Sequence, residues 1–366
     1  MIWYVMLAVI FAAEIAGIVY WQLRAERRGE QSQTKRWVKS AVLLAAAVVW
    51  ALLAVYDKEN AFIVLLHLFV FLLVGMCADG VFSLIRKKKV KGSACVWAAA
   101  SAACLIWLCL GWAAAHHVRR TDYSVTSTKA IGQDRLRIAQ ITDTHIGTTM
   151  DGAGFAKKLK DVSKAKPDIV VVTGDFTDAN TSREDMQRSC LELGKLETKY
   201  GIYFVFGNHD CGDEGERSFT SAELEAELER NGVIVLRDEG VRVSDNVYLI
   251  GRRDASEHRE NMRKLTADIR PTDYLIVLDH QPNSFTEESQ AGADLVLTGH
   301  THGGQLMPLP LASRLLPSFF GDADFMYGKR MYGSTACIVS SGMSSWEFWF
   351  KTGTVSEFVI VDVEGP

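Results

Sequence analysis

Residues 294–304 read DLVLTGHTHGG: a short run of aliphatic and β-branched side chains passes directly into two imidazoles, two residues apart, and then into paired glycines. Such a run, bounded by glycine, has the form of a buried strand ending in an abrupt turn. A single His is usually a surface or satisfied core residue, and His-x-His alone can arise by chance. What His300 and His302 do therefore depends on what else arrives at the same edge of the sheet.

The same arrangement recurs along the chain. Runs of comparable composition lie at 136–142, 168–173, 202–206, 274–278 and 294–298, and amphipathic helical stretches at 155–165, 182–196, 221–231 and 259–269 lie among them. Alternation of this kind predicts an α/β domain with buried, mostly parallel strands. Further strand candidates at 233–236 and 247–250 flank a turn, and runs at 336–340 and 357–363 close the chain, so the sheet is expected to be mixed or split in two.

Each of the five runs ends in residues able to bind a cation. Asp143-Thr144-His145 follows the first, Gly174-Asp175 the second, Gly207-Asn208-His209-Asp210 the third, Asp279-His280 the fourth and Gly299-His300-Thr301-His302 the fifth. Loops leaving the carboxyl ends of parallel strands converge while the strands hold them rigid. Of the six His after residue 121, five stand at these run ends, which points to one joint site.

The candidate ligands are Asp143, His145, Asp175, Asn208, His280, His300 and His302, nitrogen and oxygen donors without a thiolate. That set excludes a structural zinc cage and suits Mn, Fe or Zn in a catalytic role. Seven ligands exceed what one ion takes, whereas two divalent ions sharing a carboxylate account for them, and a pair roughly 3.5–4 Å apart suits in-line displacement at phosphorus. His209 shares a loop with Asn208 and is followed by a carboxylate, Asp210, an arrangement that fixes an imidazole for proton transfer.

Taken in order, DTH, GD, GNHD, a later His and GHTHGG resemble the motif set of the calcineurin-like metallophosphoesterases, over residues 135–363. Four apolar runs ahead of GHTHGGQ resemble that family's transmembrane branch. The resemblance implies two packed mixed β-sheets flanked by helices. It implies that Asp143, His145 and His302 hold one ion, that Asn208, His280 and His300 hold the other, and that Asp175 bridges them. It also implies that His209 is the general acid, oriented by Asp210. The chain departs from the branch near its end, where it reads SWEFWFKTG at 345–353.

The first 120 residues differ in kind. They carry 14 Lys and Arg against 6 Asp and Glu, while residues 121–366 carry 26 against 38. Two domains are expected, 1–120 and 121–366. Apolar runs at 2–23, 38–56, 61–85 and 94–115 approach the roughly 20 residues that an α-helix needs to cross a bilayer, and we read four spans in an integral protein of the plasma or inner membrane. Basic residues cluster between spans one and two and between three and four, at 24–39 and 86–91. Retention of such loops on the cytoplasmic side sets the catalytic domain on the extracytoplasmic side. Glu14, His67 and Asp79 are costly in hydrocarbon and read as one interhelical hydrogen bond each. The seven cysteines show no C-x-x-C spacing and define no disulfide framework.

These features lead to a membrane-anchored hydrolase of a phosphodiester or pyrophosphate bond whose partners are the bilayer and a lipid-linked phosphoester. Among substrates that the resemblance implies, one of the UDP-2,3-diacylglucosamine type stands first. The segment MPLPLASRLLPSFF at 307–320 either lines an apolar cleft, dips into the lipid interface or packs on the domain core. An acidic outer domain argues against a nucleic-acid substrate. The alternative is a membrane sensor or transport-associated protein that binds a ligand without turnover. A broken ligand set would favour it, but every position is filled.

Overall fold

The computed structural model describes residues 57–86, 94–212, 215–315 and 325–366. The chain divides into two compact units, Met1–Leu108 and Cys109–Pro366.

Helix α1 (Lys58–Arg86) begins where the Asp57 side chain accepts the Asn60 N–H at 2.9 Å, a cap for an otherwise orphaned donor. Helix α2 (Ala94–His116) follows, and its last residues, from Cys109, belong to the second unit. The stretches Lys58–Ala78 and Ala98–His116 are long and apolar enough to cross a membrane. The expected spans at 2–23 and 38–56, with Glu14, lie outside the described residues, as does the side chain of Asp79. The His67 ring bonds the Ile63 carbonyl, one turn back in its own helix, at 2.8 Å.

Among the described residues the second unit holds twelve strands in two sheets. In chain order they are β1 (Arg119–Thr126), β2 (Arg135–Ile141), β3 (Ile169–Thr173), β4 (Ile202–Val205), β5 (Ile234–Val235), β6 (Glu239–Ser244), β7 (Val247–Gly251), β8 (Tyr274–Leu278), β9 (Leu295–Thr298), β10 (Gly328–Tyr332), β11 (Thr335–Val339) and β12 (Glu357–Glu364). One sheet has the order β1-β12-β2-β3-β4-β5 and the other β10-β11-β9-β8-β7-β6. Strands β2 to β5 run parallel, as do β7, β8, β9 and β11, while β12, β6 and β10 pair antiparallel with their neighbours β2, β7 and β11.

Alternation along the strands sorts side chains between layers. Ile138, Ile169, Val171 and Val205 of the first sheet pack against Leu249, Ile276, Leu278 and Leu297 of the second, forming the sandwich core. Their neighbours Ala139, Val170, Val172 and Phe204 face outward, under helices α3 (Gly152–Lys164), α4 (Arg183–Gly194) and α6 (Ser221–Arg230), separated in sequence by the short α5 (Asn208–Gly212). On the far side, Val277, Val296 and Cys337 pack with Met262 of α7 (Met262–Leu265) and Phe285 of α8 (Phe285–Gln290). The four layers keep the expected fold class.

The helix expected at 259–269 is a single turn. Arg259 is drawn to Asp279 at 3.0 Å and the Glu260 N–H to Asp238 at 2.7 Å, so the chain enters the turn already tied to two neighbours, and Asn261 caps it. Strands β1, β6 and β10 went unread because RRTDYSVT, EGVRVS and GKRMY are charged and weakly apolar. All three are edge strands, where charge discourages pairing with other chains.

Arg252, at the exit of β7, is 1% exposed and lies 3.4 Å from Asp279 and 3.3 Å from Glu288. Burial, reinforced by Asp279, pushes the Glu288 carboxyl well above its ordinary range. Replacing Arg252 by Met should destabilise the full-length protein by about 3 kcal/mol, because a buried carboxylate loses its partner. Denaturant titration in detergent checks this, and a loss under about 1 kcal/mol would mean that Arg259 alone balances Asp279.

Candidate metal centre

The loops after β2, β3, β4, β8 and β9 meet at one end of the sandwich. Backbone bonds stitch them pairwise: Asp143 N to Gly174 O at 3.0 Å, His145 N to Asp175 O at 3.1 Å and Gly299 N to His280 O at 2.9 Å. Gln140, buried on β2, donates from Nε2 to Thr173 Oγ1 at 2.9 Å and to the Thr298 carbonyl at 2.8 Å, which pins the first sheet to the second just below the site.

Two groups of ligand atoms result. Asp143, His145 and His302 form one and Asp175, His280 and His300 the other, with the atoms of each within 4.8 Å of one another. Asn208 joins the second group, its Oδ1 lying 3.2 Å from His280 Nε2. Asp175 Oδ2 stands between them, 3.0 Å from His280 Nε2 and 3.7 Å from His145 Nε2. All seven candidate ligands read from the sequence are therefore brought together.

Five of the seven, Asp143, His145, Asp175, His300 and His302, have φ between 36° and 69°, a region that side-chain-bearing residues rarely adopt. Such backbone persists where the surroundings over-determine it, and it clusters at functional sites. The turns also need glycine beside them. A Cβ on Gly207 or Gly299 would strike the Asp175 or Asp143 carboxylate respectively.

The hydrogen bonds decide what the donor set can hold. His145 Nδ1 lies 3.1 Å from Asp178 Oδ2, His302 Nδ1 3.3 Å from the Ser344 carbonyl and His280 Nδ1 2.8 Å from the Thr173 carbonyl. Each ring turns Nδ1 to an acceptor, which leaves Nε2 to face the neighbouring ligands. His145 Nε2 and His302 Nε2 are 3.2 Å apart, with Asp143 Oδ1 3.5 Å from the latter. His280 Nε2 likewise faces His300 Nδ1 at 3.2 Å beside Asp175 and Asn208. Donor atoms of this kind gathered so closely in a buried place need positive charge among them, as shared protons or as cations. The set fits a cation in each group.

The electrostatics divide the imidazoles into two kinds. Burial, with repulsion from His280, brings the His300 ring down to about 4, and burial with repulsion from His145 takes His302 well below its usual range. Burial opposes charge on Asp175 as well, yet the imidazoles around it, His280 first, hold its carboxyl far below the carboxylate range. His300 and His302 are thereby held neutral, the form that ligates a metal, whereas burial is outweighed at His145 by Asp178 and Asp175, and at His280 by Asp175 and Asp143, raising both rings above their ordinary value.

His209 is half-buried. Its N–H donates to Asp175 Oδ1 at 2.9 Å, and its ring lies 5.2 Å from that of His145 and 5.7 Å from that of Trp346. The expectation that Asp210 orients this ring differs from its observed bonding. The Asp210 carboxylate accepts the backbone N–H groups of Phe176 (3.2 Å), Thr177 (2.9 Å) and Gly207 (3.0 Å) and the Thr177 hydroxyl (3.0 Å). It braces the β3 and β4 loops, because a fully buried carboxylate there takes the unpaired donors of both turns.

Sequence reading missed Asp178, although it lies three residues after Asp175 in the same loop. It also missed Arg217, which binds the His209 carbonyl at 3.0 Å and the Asp210 carbonyl at 2.6 Å. Lys351 was missed too. Its buried ammonium donates to the carbonyls of Ser341 (2.5 Å) and Gly342 (3.3 Å), and burial brings it down to about 7 against the pull of Asp143 and Glu357.

Residues 136–304 match the family model for calcineurin-like phosphoesterases. A transmembrane protein with metallophosphoesterase domain from Danio rerio is 32% identical over 198 residues, 50% of this chain and 44% of its own. An uncharacterized metallophosphoesterase of Bacillus subtilis, YkoQ, is 34% identical over 176 residues, 47% of this chain and 63% of its own. Another from Campylobacter jejuni is 26% identical over 233 residues, 63% and 59% of the two chains. This chain spans about half the length of the curated relatives it matches.

Removing the acceptor that orients a ligating His weakens metal binding, so Asp178→Ala should lower affinity for Mn²⁺ by about 10–100-fold in chelator competition. Unchanged affinity would mean that Asp178 serves the fold only.

The Lys351 amine sets a pH dependence. Its folded value lies below the unfolded one of 10.5, so between about 7 and 10.5 the unfolded chain binds the extra proton and stability rises with pH. Below about 7 the penalty is complete and flat. Relative to Lys351→Met, the wild type should therefore gain thermal stability as pH rises through that window, and parallel curves for the two proteins would contradict it.

Proposed function

We propose that the protein is a membrane-anchored phosphoesterase that uses two divalent cations, Mn, Fe or Zn, to hydrolyse a phosphodiester or pyrophosphate bond of a lipid-linked substrate. The observation that carries this reading is the convergence of His145 Nε2, His280 Nε2 and their partners on the single oxygen Asp175 Oδ2. Asp143, His145 and His302 would hold one cation, Asn208, His280 and His300 the other, and Asp175 both. Such a pair, when bound, supplies positive charge for the phosphoryl oxygens and acidity for an attacking water.

The chain's own residues then have separable tasks. Asp178, Ser344 and Thr173 fix the ring orientations of His145, His302 and His280 through Nδ1. His209 has its backbone clamped on both sides, by Asp175 at the N–H and by Arg217 at the carbonyl, and its ring lies 5.2 Å from that of His145. From there the imidazole delivers its proton to the leaving oxygen. Asp210 acts on this step only through the backbone.

Anchorage is supported by the two apolar helices and by relatives named as transmembrane proteins. The basic segments at 24–39 and 86–91 favour a catalytic unit on the extracytoplasmic side of the plasma or inner membrane. A substrate of the UDP-2,3-diacylglucosamine type conflicts with that side, because nucleotide-activated precursors are cytoplasmic. A lipid phosphoester without a nucleotide fits both constraints.

Purified full-length protein should hydrolyse bis(p-nitrophenyl) phosphate when Mn²⁺ is added. Asp175→Ala should lose metal and activity together, whereas His209→Asn should keep its metal and slow turnover by on the order of 100-fold. Full activity of His209→Asn on an ester with a poor leaving group would remove His209 from the proton transfer, and no turnover by the wild type with any of the three metals would remove the hydrolase reading.

A further inference from the structure

A cavity of about 490 Å³ lies behind the loop that carries His300 and His302. Its wall includes Pro310, Leu311, Arg314, Phe325, Tyr327 and Lys329. Thr354, also in the wall, donates to the His302 carbonyl at 2.9 Å, and Met326 accepts from the Thr301 hydroxyl at 2.6 Å. The cavity and the candidate metal centre thus share one thin loop. The lining combines apolar and aromatic side chains with cations, and neither Arg314 nor Lys329 has a carboxylate partner among the described residues. Lys329 instead donates to the Ser124 carbonyl at 2.8 Å. Such a lining matches a molecule with an apolar chain and one anionic group.

Helix α9 (Leu309–Leu315) forms the rim, and its apolar side chains point into solvent: Leu309 is 47% exposed, Leu311 49% and Leu315 68%. Trp346 and Trp349 are exposed as well, and Gln305 ties the first of them to the approach to α9, bonding both its N–H and its carbonyl at 3.0 Å. A group of exposed apolar side chains this large marks a surface that meets something other than water.

What it meets follows from the strap at 351–356. On one side the strap holds the end of α2: Lys351 N donates to Gly111 O at 3.0 Å, Ser356 N to Ala114 O at 2.9 Å and Ser356 Oγ to Ala115 O at 2.7 Å. On the other side it holds the approach to α9, with Gly353 N on Gln305 O at 2.9 Å and Met307 N on Thr352 Oγ1 at 3.1 Å. Leu110 and Trp112, on that helix end, are 61% and 50% exposed. The apolar rim is therefore joined through six residues to the end of a stretch long and apolar enough to span a bilayer. Cations beside an apolar surface are drawn to anionic headgroups.

We infer that the α9 rim is the surface by which the catalytic unit meets the lipid bilayer, and that the cavity behind it receives the acyl-bearing, anionic part of a membrane phosphoester. The second half of this inference rests on the phosphoesterase reading; the first half does not.

The test uses the full chain in nanodiscs of phosphatidylcholine and phosphatidylglycerol, with a photoreactive benzophenone amino acid at Leu311 or Leu315. The control position is Ile234, 41% exposed on β5, which lies at the other edge of its sheet from β1, roughly 24 Å across five strand spacings. Irradiation should give phospholipid adducts at the α9 positions in about tenfold excess over Ile234, as expected of side chains buried in the interface. Equal yields would overturn the docking surface. In the second arm, kcat/KM is compared for the hexadecyl and methyl esters of p-nitrophenyl phosphate. Leu311→Asp should lower the hexadecyl-to-methyl ratio by about tenfold, through loss of apolar contact with the chain. An unchanged ratio in a protein that still binds Mn²⁺ would overturn the cavity assignment. Hydrolysis of neither ester by the wild type would sink the phosphoesterase reading and the cavity with it, while the adduct yields would still decide the rim.

Discussion

The structure depends on an electrostatic conflict kept in place by covalent and packing constraints. Imidazole nitrogens and carboxylate oxygens crowd together at 3.0 to 3.7 Å around Asp175, most of them buried. Left to themselves these groups would turn apart. They do not, because the far nitrogens of His145, His280 and His302 are each held by an acceptor on a neighbouring loop, and because left-handed backbone at five ligand positions aims the side chains inward. Each such residue costs on the order of 1–3 kcal/mol. That cost is met by the sandwich beneath, where a fully buried Ile, Leu or Val contributes about 1.5–3 kcal/mol.

The same reasoning explains why the site lies where the two sheets meet. Neither sheet alone supplies a full set of ligands: β2, β3 and β4 deliver Asp143, His145, Asp175 and Asn208, and β8 and β9 deliver His280, His300 and His302. Small shifts between the sheets would pull the two halves apart. Gln140 and the His280 to Thr173 bond cross that boundary at the level of the site, with both partners buried, where a broken hydrogen bond is expensive. The ligand spacing is thus set by sheet packing as much as by the loops.

How much of this was legible in the sequence follows from which interactions are local. Strands β3 and β8 were readable because a run of buried aliphatics has few other uses, and the ligands because each directly follows such a run. The edge strands β1, β6 and β10 were not, since their place is set by a neighbour's free hydrogen bonds rather than by their own hydrophobicity. The Asp210 carboxylate was assigned to the adjacent His209 on proximity in sequence, whereas the donors it serves at Phe176 and Thr177 come from a loop more than thirty residues earlier. Lys351 gave no signal at all. A lysine in SWEFWFKTG reads as solvated, and only the fold shows it sealed beneath the loop at 341–345.

That lysine also joins parts of the molecule that otherwise look separate. Its backbone N–H is bonded to Gly111 at the end of α2, and its ammonium to Ser341 and Gly342. Two residues further on, Ser344 takes the Asp143 carbonyl through its N–H at 3.0 Å and orients His302 through its own carbonyl. Hence the end of an apolar helix reaches a candidate metal ligand through one residue and one short loop. The amine at the centre has a depressed affinity for its proton, because its site is closed to water. A neutral amine donates more weakly to those carbonyls than an ammonium would, so the firmness of the link depends on the charge held there. The end of α2 from Cys109 onward and the candidate metal centre are therefore parts of one hydrogen-bonded arrangement within the second unit.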